Sequence, residues 1–440
     1  MDALRKVSLE NFPEDVDNQN HIKIYGEKSY ATQMAVLTHF LHNGFLKGIG
    51  KPTEEIKEEV EDSIHAYLEQ KGLAKDYSAK QIDLVADHPF QTSLFDEYMD
   101  IPFPAPSKPK FTFIDLFAGI GGFRIAMQNL GGKCLFSSEF DAQAQKSYLA
   151  NYGEMPFGDI TKESTKSYIP KDFDILCAGF PCQAFSIAGR RLGFKDETRG
   201  TLFFEVEDIL RQHQPKAFFL ENVKGLTNHD HGKTLRVILD HLDDAGYDVV
   251  PPKILNAMDY GVPQHRERIY IVGFRKDLHI DTANFQYPEP TTPEGHRPKF
   301  KDVMEDHEVS VKYYLSTQYI DTLIRHKARH AAKGNGFGYE IIDTNGVANA
   351  IVVGGMGRER NLIIDKRLTH FTPITHIKGV VNHEGIRRMT PREWARLQGF
   401  PDKFKIVVAD ASAYKQFGNS VAVPAIQATA KQELETLGIL

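Results

Sequence analysis

Between residues 109 and 284, hydrophobic positions form short runs of strand length that alternate with stretches of helical spacing. The runs fall at residues 112–117, 135–139, 173–178, 217–220 and 268–273. After the first run, apolar residues recur on one helical face at Phe123, Ala126, Met127 and Leu130. This alternation is typical of a mostly parallel sheet covered by helices on both faces. The pattern therefore predicts an open α/β domain.

The pattern changes on either side of this domain. Residues 101–110 hold four prolines, which favour an extended linker, and the stretch before them predicts helices at 29–42 and 53–72. From about 285 to 385 the period is lost and proline and glycine rise, which indicates loops. Helical signals return at 390–393, where Thr-Pro-Arg-Glu forms a capping box. We expect an acidic helical extension with its linker at 1–108, the α/β domain at 109–284, a smaller loop-rich domain at 285–398, and a segment at 399–440 that returns to the α/β domain.

Composition and charge narrow the class of protein. The 440 residues are 41% hydrophobic and 25% charged, which excludes wholesale disorder and collagen-like or coiled-coil chains. No apolar run approaches the roughly 18 residues of a membrane span, and no signal-peptide core is seen, so we expect a cytoplasmic protein without membrane association. The net charge is −6, but residues 1–108 hold 11 Lys and Arg against 19 Asp and Glu, whereas residues 297–400 hold 17 against 11. One region is thus locally basic although the chain is acidic.

A glycine-rich turn from the first predicted strand into the first helix is a candidate ligand site. In Asp115-Leu-Phe-Ala-Gly-Ile-Gly-Gly-Phe123, glycines allow close backbone approach, and the N–H groups of the helix start favour an anionic group. Glu139 stands 22 residues past Phe117, where a doubly wound sheet places an acid that binds ribose hydroxyls. A nucleotide-like cofactor is one interpretation. A tight turn without a ligand is the other, because the spacing is G-x-G-G.

Cys182 follows a predicted strand and a proline in Gly179-Phe-Pro-Cys-Gln-Ala-Phe-Ser186. A thiol at the carboxyl edge of a parallel sheet lies where ligands bind, so we interpret Cys182 as a nucleophile. Cys134 and Cys177 stand among strand residues and are interpreted as small buried hydrophobic side chains. The three cysteines form no C-x-x-C pair, so neither a disulfide framework nor a metal site is expected. Residues 186–200 are rich in Gly and Arg and are a candidate flap over a substrate.

Three further segments carry polar groups at the ends of predicted elements. Glu221 follows an apolar run, where a carboxylate is able to protonate or hydrogen-bond a bound base. Arg266 and Arg268 share one face at the start of a strand, which suits bidentate binding of a carboxylate or phosphate. A surface glutamate and a solvated charge run are the plain alternatives. A Gly-Asn-Ser turn at 418–420 precedes the final helix.

The order of these motifs over residues 115 to 424 resembles the cytosine-C5 DNA methyltransferase family of bacterial restriction–modification systems. The matching segments are D-L-F-A-G-x-G-G from 115, P-C-Q from 181, E-N-V from 221, Q-x-R-x-R from 264, R-x-x-T-P-R-E-x-x-R-L-Q-G-F-P up to 401, and G-N-S from 418. The resemblance implies a Rossmann-like fold of the S-adenosylmethionine-dependent methyltransferases. It also implies that 285–398 is a target-recognition domain and that 1–108 lies outside the family core.

The implied cofactor is S-adenosylmethionine. Glu139 would bind its ribose hydroxyls, and Asp159 would accept a hydrogen bond from the adenine amino group. The residues that the resemblance places around the cofactor are Phe117, Gly119, Ile120, Gly121, Glu139, Phe140, Asp159, Ile160, Pro181, Asn419 and Ser420.

The implied reaction is methylation of a cytosine at C5. The Cys182 thiolate would attack C6 of the base, which makes C5 electron-rich enough to take a methyl group. Glu221 would hold the base at N3 and at the exocyclic amine, and so stabilise the charge that builds on the ring. Arg268 would orient Glu221 or the sugar–phosphate, with Arg266 nearby. Removal of the C5 proton and β-elimination would then free Cys182.

This attack requires a cytosine flipped out of the duplex. Gln183, Ser186, Arg190 and Arg191 on the flap are expected to contact phosphate or to fill the vacated stack. The basic region at 297–400 would supply phosphate binding in the target-recognition domain.

Segment 349–361 is the candidate for base recognition. Its glycines allow close approach, and Arg358 and Arg360 are suited to bidentate contacts with guanine. An ordinary charged hairpin is the alternative. The segment is similar to those of family members that modify the inner cytosine of palindromes starting with CC, such as CCNGG or CCWGG.

We therefore expect a monomeric DNA (cytosine-5)-methyltransferase that acts on double-stranded DNA and protects it from a cognate restriction endonuclease. An RNA cytosine-5 methyltransferase, an inactive scaffold and an oxidoreductase are the alternatives. The absence of a cysteine after Cys182 counts against the RNA enzyme, and the presence of Cys182 with Glu221 counts against the scaffold. The glycine spacing counts against the oxidoreductase. Residues 1–108 would either bind an operator and regulate transcription, which their negative charge disfavours, or form a docking or solubilising domain.

Overall fold

The computed structural model of the chain describes residues 32, 34–36, 38–39, 101–181, 202–354, 357–373 and 379–440. The chain divides into two compact units. Unit 1 comprises Met1–Ile254, Ile269–Tyr287 and Thr429–Leu440, and unit 2 comprises Leu255–Arg268 and Pro288–Ala428. Each unit is therefore built from separate stretches of sequence. The domain boundaries expected at 108, 284 and 398 stay predictions.

The described elements follow in chain order. The strands are β1 (Phe111–Leu116), β2 (Gly132–Ser138), β3 (Ile175–Gly179), β4 (Ala217–Val223), β5 (Tyr247–Val249), β6 (Lys253–Asn256), β7 (Gln264–His265), β8 (Glu267–Arg275), β9 (Ala348–Asn349), β10 (Ile363–Ile364) and β11 (Ile386–Arg387). The α-helices are α1 (Gly122–Asn129), α2 (Ala142–Tyr152), α3 (Glu163–Lys166), α4 (Leu202–His213), α5 (Lys233–Asp244), α6 (Thr317–Ala331), α7 (Pro391–Leu397), α8 (Asp410–Asn419) and α9 (Val423–Thr436).

A seven-stranded sheet runs in the order β2-β1-β3-β4-β8-β5, with β6 beside β8. The pairs β1·β2, β1·β3 and β3·β4 are parallel, whereas β5 is antiparallel to β8. The predicted α/β class with a mostly parallel sheet is confirmed, since the five apolar runs correspond to β1, β2, β3, β4 and β8. In the sheet, β2 lies on one side of β1 and β3 lies on the other. The carboxyl ends of β1 and β3 thus flank the switch point where sheets of this kind bind ligands.

The core of unit 1 also contains residues from far upstream. Thr32, Met34, Ala35, Val36, Thr38 and His39 are helical, and we call them the N-terminal segment. Met34, Ala35 and Val36 are buried in the same cluster as Ile114 of β1 and Phe136 of β2. These described residues therefore pack with the sheet, although the proline pattern predicts a separate unit for 1–108.

Unit 2 contains short strand pairs, β7 with β9 and β10 with β11. The capping box at the start of α7 is confirmed, because Thr390 Oγ1 accepts from the Glu393 N–H and Glu393 accepts from the Thr390 N–H. Within the loop-rich stretch predicted at 285–385, α6 is a helix of 15 residues that the pattern did not predict. Leu323 is buried and Tyr319 and Ile320 are partly buried beside it, so the apolar stripe of α6 covers only the first half of the helix. In the part of the chain that the structure describes, every helix is too short or too polar to cross a membrane.

Candidate active site

The turn after β1 has a backbone that requires glycine. Gly119 and Gly121 have φ of +55° and +81°, and Phe117 shares this left-handed region at +55°. A Cβ at Gly121 would overlap the ring of Tyr152, whose hydroxyl donates to the Gly121 carbonyl at 2.8 Å. At Gly119, by contrast, no described atom lies within 4 Å of a Cβ position. The turn is thus closed on the Gly121 side and open at Gly119, next to the buried Ile120.

Glu139 directly follows β2 and holds this turn in place. Its Oε2 accepts from the Gly119 N–H at 2.8 Å, and its Oε1 accepts from the Asp141 N–H at 2.8 Å. Burial raises the pKa of Glu139, while these two N–H donors act in the opposite direction. Each carboxylate oxygen keeps a further lone pair, so Glu139 is able to accept from ligand hydroxyls as well.

The surroundings of Glu139 fit an adenosine group. The neighbouring Phe140 ring is 77% exposed and offers a flat apolar surface. Asp159 accepts from the Thr161 N–H and hydroxyl at 3.0 and 2.8 Å, and the adjacent Ile160 is buried. At Gly158 a Cβ would meet no described atom within 4 Å. Open glycines, an exposed ring and two carboxylates leave room and hydrogen-bond acceptors for the ribose and base of such a group.

A structural role for Asp115 was not predicted. It lies in β1 opposite Ser137 and Cys177, and burial raises its pKa to about 8. Its carboxyl accepts from the backbone N–H of Arg124, at the start of α1. Among the described residues, its Oδ2 has no hydrogen-bond partner. An acid inside an apolar strand is the signal that marks it, and it holds the helix that follows the glycine-rich turn.

Glu221 and Asn222 lie at the edge where β3 and β4 end. Glu221 is 7% exposed and pairs with Gly179 of β3. Asn222, whose role was not predicted, donates to the Phe180 carbonyl at 2.9 Å and so holds the start of the loop after β3. Its only sequence signal is a polar residue at the end of an apolar strand. Pro181 is exposed. The predicted residues of that loop, Cys182, Gln183, Ser186, Arg190 and Arg191, lie outside the described residues.

Arg266 in unit 2 is 3% exposed and is held by backbone carbonyls. Its guanidinium donates to Ile351 at 3.0 Å, to Gly418 at 3.3 Å and to Ser420 at 2.7 Å. These bonds fix the turn around Asn419, whose side chain is exposed at the end of α8. The Nη donors of Arg266 are therefore bonded to backbone carbonyls, although the sequence spacing predicts that they bind a carboxylate or phosphate. Arg268 is half-buried and donates to the Glu267 carbonyl at 2.8 Å.

Two buried glutamines, Gln264 and Gln398, extend this hydrogen-bond network. Gln264 accepts from the Ile351 N–H at 3.0 Å and donates to the Leu397 carbonyl at 2.8 Å. Gln398 donates to the carbonyls of Phe417 at 2.7 Å and Ser420 at 3.1 Å. Their role was not predicted, because residue type alone does not distinguish a buried amide from one that contacts a ligand.

The candidate base-recognition segment presents two arginines to solvent. Arg358 and Arg360 are exposed, whereas Glu359 between them is buried and accepts from Arg388 at 2.7 Å. A Cβ at Gly357 would overlap the Val352 carbonyl, so the turn before Arg358 is tight. Arg358 and Arg360 thus flank a buried glutamate that is paired with Arg388.

A second exposed positive surface, which we call the α6 basic face, consists of Arg325 and Arg329, which share one face of α6, with Lys333 just after the helix. Among the described residues, none of these three side chains forms a salt bridge. Other arginines of unit 2 do, such as Arg297, Arg367, Arg387, Arg388 and Arg396. The α6 basic face therefore retains charge for an external anion.

In the described part of the chain, one surface cluster brings together side chains of the types that bind metal ions. Glu305, Asp306 and His307 bring ligand atoms within 4.8 Å of one another, and His307 bonds to Asp306 at 2.7 Å. Exposed acidic groups of this kind are common without an ion.

The comparisons with known proteins agree on one family. The model of the family "C-5 cytosine-specific DNA methylase" matches residues 111–435. The chain is 70% identical over 334 residues to the type II methyltransferase M.HpaII of Haemophilus parainfluenzae, a match that covers 76% of this chain and 92% of that protein. It is 42% identical over 323 residues to the type II methyltransferase M.HhaI of Haemophilus parahaemolyticus, covering 72% and 91%.

Solved structures share the fold at lower identity. The Dnmt2 methyltransferase of S. pombe aligns with a TM-score of 0.54 at 18% identity and covers 74% of this chain and 99% of that one. The methyltransferase EhMeth of Entamoeba histolytica gives 0.53 at 18% identity, covering 74% and 98%. The family match and the 70% identity show that the chain belongs to the C-5 cytosine-specific DNA methylases, enzymes that use S-adenosylmethionine as the methyl donor.

Proposed function

We propose that the chain methylates C5 of a cytosine flipped out of double-stranded DNA. The observation that carries this is the shared edge of β3 and β4. Buried Glu221 lies near the end of β4 beside Gly179, and Asn222 donates to the carbonyl of Phe180, two residues before Cys182. Parallel strands end at one edge, so this connectivity supports a thiol and a carboxylate that act on one base.

Each proposed catalytic residue has one task. The Cys182 thiolate attacks C6, and Glu221 holds N3 and the exocyclic amine, where donors and acceptors stabilise the charge that develops on the ring. Arg268 is proposed to bind the sugar–phosphate. Arg266 acts by fixing the turn at 418–420. S-adenosylmethionine, when bound beside Glu139, Phe140 and Asp159, supplies the methyl group.

The first prediction concerns the nucleophile. Cys182→Ala is expected to lower transfer of labelled methyl groups to duplex DNA by several orders of magnitude, because C5 is a poor nucleophile without covalent addition at C6. Cys134→Ala is the matched control, since Cys134 is buried in β2, where burial raises its thiol pKa to about 12. With 5-fluorocytosine in the DNA, elimination is blocked, so the wild type should form a complex that survives denaturing electrophoresis.

Other outcomes of that experiment are equally informative. An adduct that persists in Cys182→Ala would overturn the role of Cys182. Transfer to transfer RNA but not to duplex DNA would replace the proposed substrate with RNA.

We infer that the target is a palindrome that begins with CC. Support comes from the segment around Arg358 and Arg360, which offers two exposed guanidinium groups for guanine edges. CCGG is the shortest such palindrome, and CCNGG and CCWGG are the five-base forms. A panel of these duplexes, with a GC-rich duplex lacking CC, is expected to show methylation of CC duplexes only. Methylation of the control duplex would exclude the CC core.

The biological setting proposed is the modification half of a restriction–modification pair, with the enzyme acting as a monomer. This setting is supported by the relatives, which are named type II methyltransferases. DNA from cells that express the protein should resist an endonuclease of the mapped site, and sedimentation should give a mass near 49.7 kDa. The expected target-recognition domain at 285–398 remains part of this proposal.

A further inference from the structure

We propose that the N-terminal segment positions the cofactor site, and that Thr38 and His39 are its positioning residues. The segment lies outside residues 111–435, which match the family. It nevertheless contacts residues 154–157, which lead directly into Asp159. The inference rests on the proposed cofactor site at Glu139 and Asp159.

The Thr38 hydroxyl is the direct link. It accepts from the Met155 N–H at 2.9 Å and donates to the Met34 carbonyl at 2.8 Å. Thr38 and Met155 are both buried. A buried amide that loses its acceptor carries the full cost of desolvation, so this hydroxyl fixes the backbone at Met155.

His39 makes a second contact with the same loop. Its ring lies 4.6 Å from the Phe157 ring between centroids, and its Nε2 lies 3.7 Å from Glu154 Oε2. Glu154 in turn holds Arg124 of α1 through two bonds of 2.7 Å, and all three charged or ionisable side chains are buried. The segment therefore also packs against the ion pair of the helix that follows the glycine-rich turn.

The backbone of Phe157 transmits this position to the cofactor residues. Its carbonyl accepts from the Glu139 N–H at 2.8 Å, and its N–H donates to the Ser137 carbonyl at 2.8 Å. Asp159 follows two residues later. Because Glu139 is bonded to Phe157 and Asp159 is continuous with it, a shift of this loop changes the positions of both carboxylates.

The test is Thr38→Val in the full chain, with Thr38→Ser as the conservative variant. Thr38→Val keeps the shape but removes the acceptor, and is expected to raise the dissociation constant for S-adenosylmethionine, measured by calorimetry, by about tenfold. The KM for S-adenosylmethionine should rise similarly, while kcat and the KM for DNA change less than about twofold. Hydrogen exchange of the Met155 amide should accelerate. Thr38→Ser should restore all three readouts.

Two controls separate this role from general stability and from the proposed function. Leu242→Ala in α5 removes core contacts elsewhere in unit 1 and should lower the melting temperature without changing cofactor affinity. Glu139→Ala should abolish cofactor binding, and normal binding by that variant would overturn the proposed site itself. If Glu139→Ala loses binding but Thr38→Val binds as the wild type does, the positioning role alone is overturned. Equal loss of affinity in Leu242→Ala would also overturn it. Should Thr38→Val not fold, His39→Gln is compared by the same readouts.

Discussion

At the scale of single residues, buried polar side chains fall into two groups, those with hydrogen-bond partners and those without. The Nη atoms of Arg266 and the Nε2 of Gln398 donate to backbone carbonyls, so these side chains hold loops together. Glu433 of α9 is the opposite case, because among the described residues neither of its carboxyl oxygens has a hydrogen-bond partner. Burial raises its pKa to about 8, so the side chain carries a proton at neutral pH.

This state of Glu433 predicts a pH dependence of stability. The unfolded chain releases the proton near the ordinary value of 4.5, whereas the native state keeps it up to about 8. In that window the native state binds more protons, so the free energy of unfolding falls as pH rises, by at most about 1.4 kcal/mol per pH unit. Glu433→Gln is expected to be more stable than the wild type at pH 8 and to show a flatter profile of melting temperature against pH.

The matched control is Glu435→Gln, an exposed position on the same helix, which should leave the profile unchanged. Asp115 titrates in the same direction, so some slope should remain in Glu433→Gln. An unchanged slope in Glu433→Gln would show that this carboxyl is ionised in the native state.

At the scale of elements, the sequence is most informative where burial has a simple period. Strands β1, β3 and β4 are nearly continuous apolar runs because both of their faces are covered, and such runs are visible without a structure. Helix α6 is harder to predict, because its buried and partly buried apolar side chains, Tyr319, Ile320 and Leu323, lie in its first half only. Spacing alone places Arg266 on a strand face but cannot show that carbonyls from residues 351, 418 and 420 surround it, since these are distant in sequence.

The glycine-rich turn gives an element-scale prediction with two contrasting substitutions. Gly121→Ala would overlap Tyr152 and adopt a strained φ, so it should lower the melting temperature strongly. Gly119→Ala meets open space and bears only the left-handed strain of roughly 1–2 kcal/mol. Its larger effect should be on the dissociation constant for S-adenosylmethionine. Calorimetry and thermal melts of both variants check this, and equal loss of stability would contradict the open space at Gly119.

The α6 basic face predicts a salt-dependent contribution to DNA binding. Arg325→Gln with Arg329→Gln should weaken binding to specific and unrelated duplexes alike and reduce the slope of log affinity against log salt by about 2. The double lysine variant at these positions should keep most of the slope. Fluorescence anisotropy over a salt series measures both. An unchanged slope would mean that the α6 basic face does not contact phosphate.

At the scale of the whole molecule, both units are assembled from separate stretches of sequence. The chain leaves unit 1 at Ile254, returns at Ile269, leaves again at Tyr287 and returns at Thr429. Simple periodicity cannot predict such an arrangement, because it describes neighbours in sequence. For the same reason the proline-rich stretch at 101–110 suggests a boundary, although Met34 and Val36 are buried with the sheet.

Removal of the upstream residues is therefore expected to destabilise unit 1. Deletion of residues 1–100 takes Met34, Ala35 and Val36 from the core, and loss of buried apolar side chains of this size costs about 3 kcal/mol or more. Deletion of residues 1–28 keeps the N-terminal segment and is the matched control. Thermal melts should show a drop of several degrees for the longer deletion only. Equal melting temperatures for both deletions and the full chain would establish that 1–100 is a separate unit.

The hydrogen bond between Thr38 and Met155 spans 117 residues, which has a consequence for the order of events during synthesis. At roughly 5–20 residues per second, Met34, Ala35 and Val36 emerge from the ribosome several seconds before the loop that covers them. During that interval their apolar side chains have no native partner from that loop. Slow codons or a shortage of chaperones would therefore increase aggregation of nascent chains through the exposed side chains of Met34, Ala35 and Val36. This aggregation would begin before the loop that carries Cys182 is synthesised.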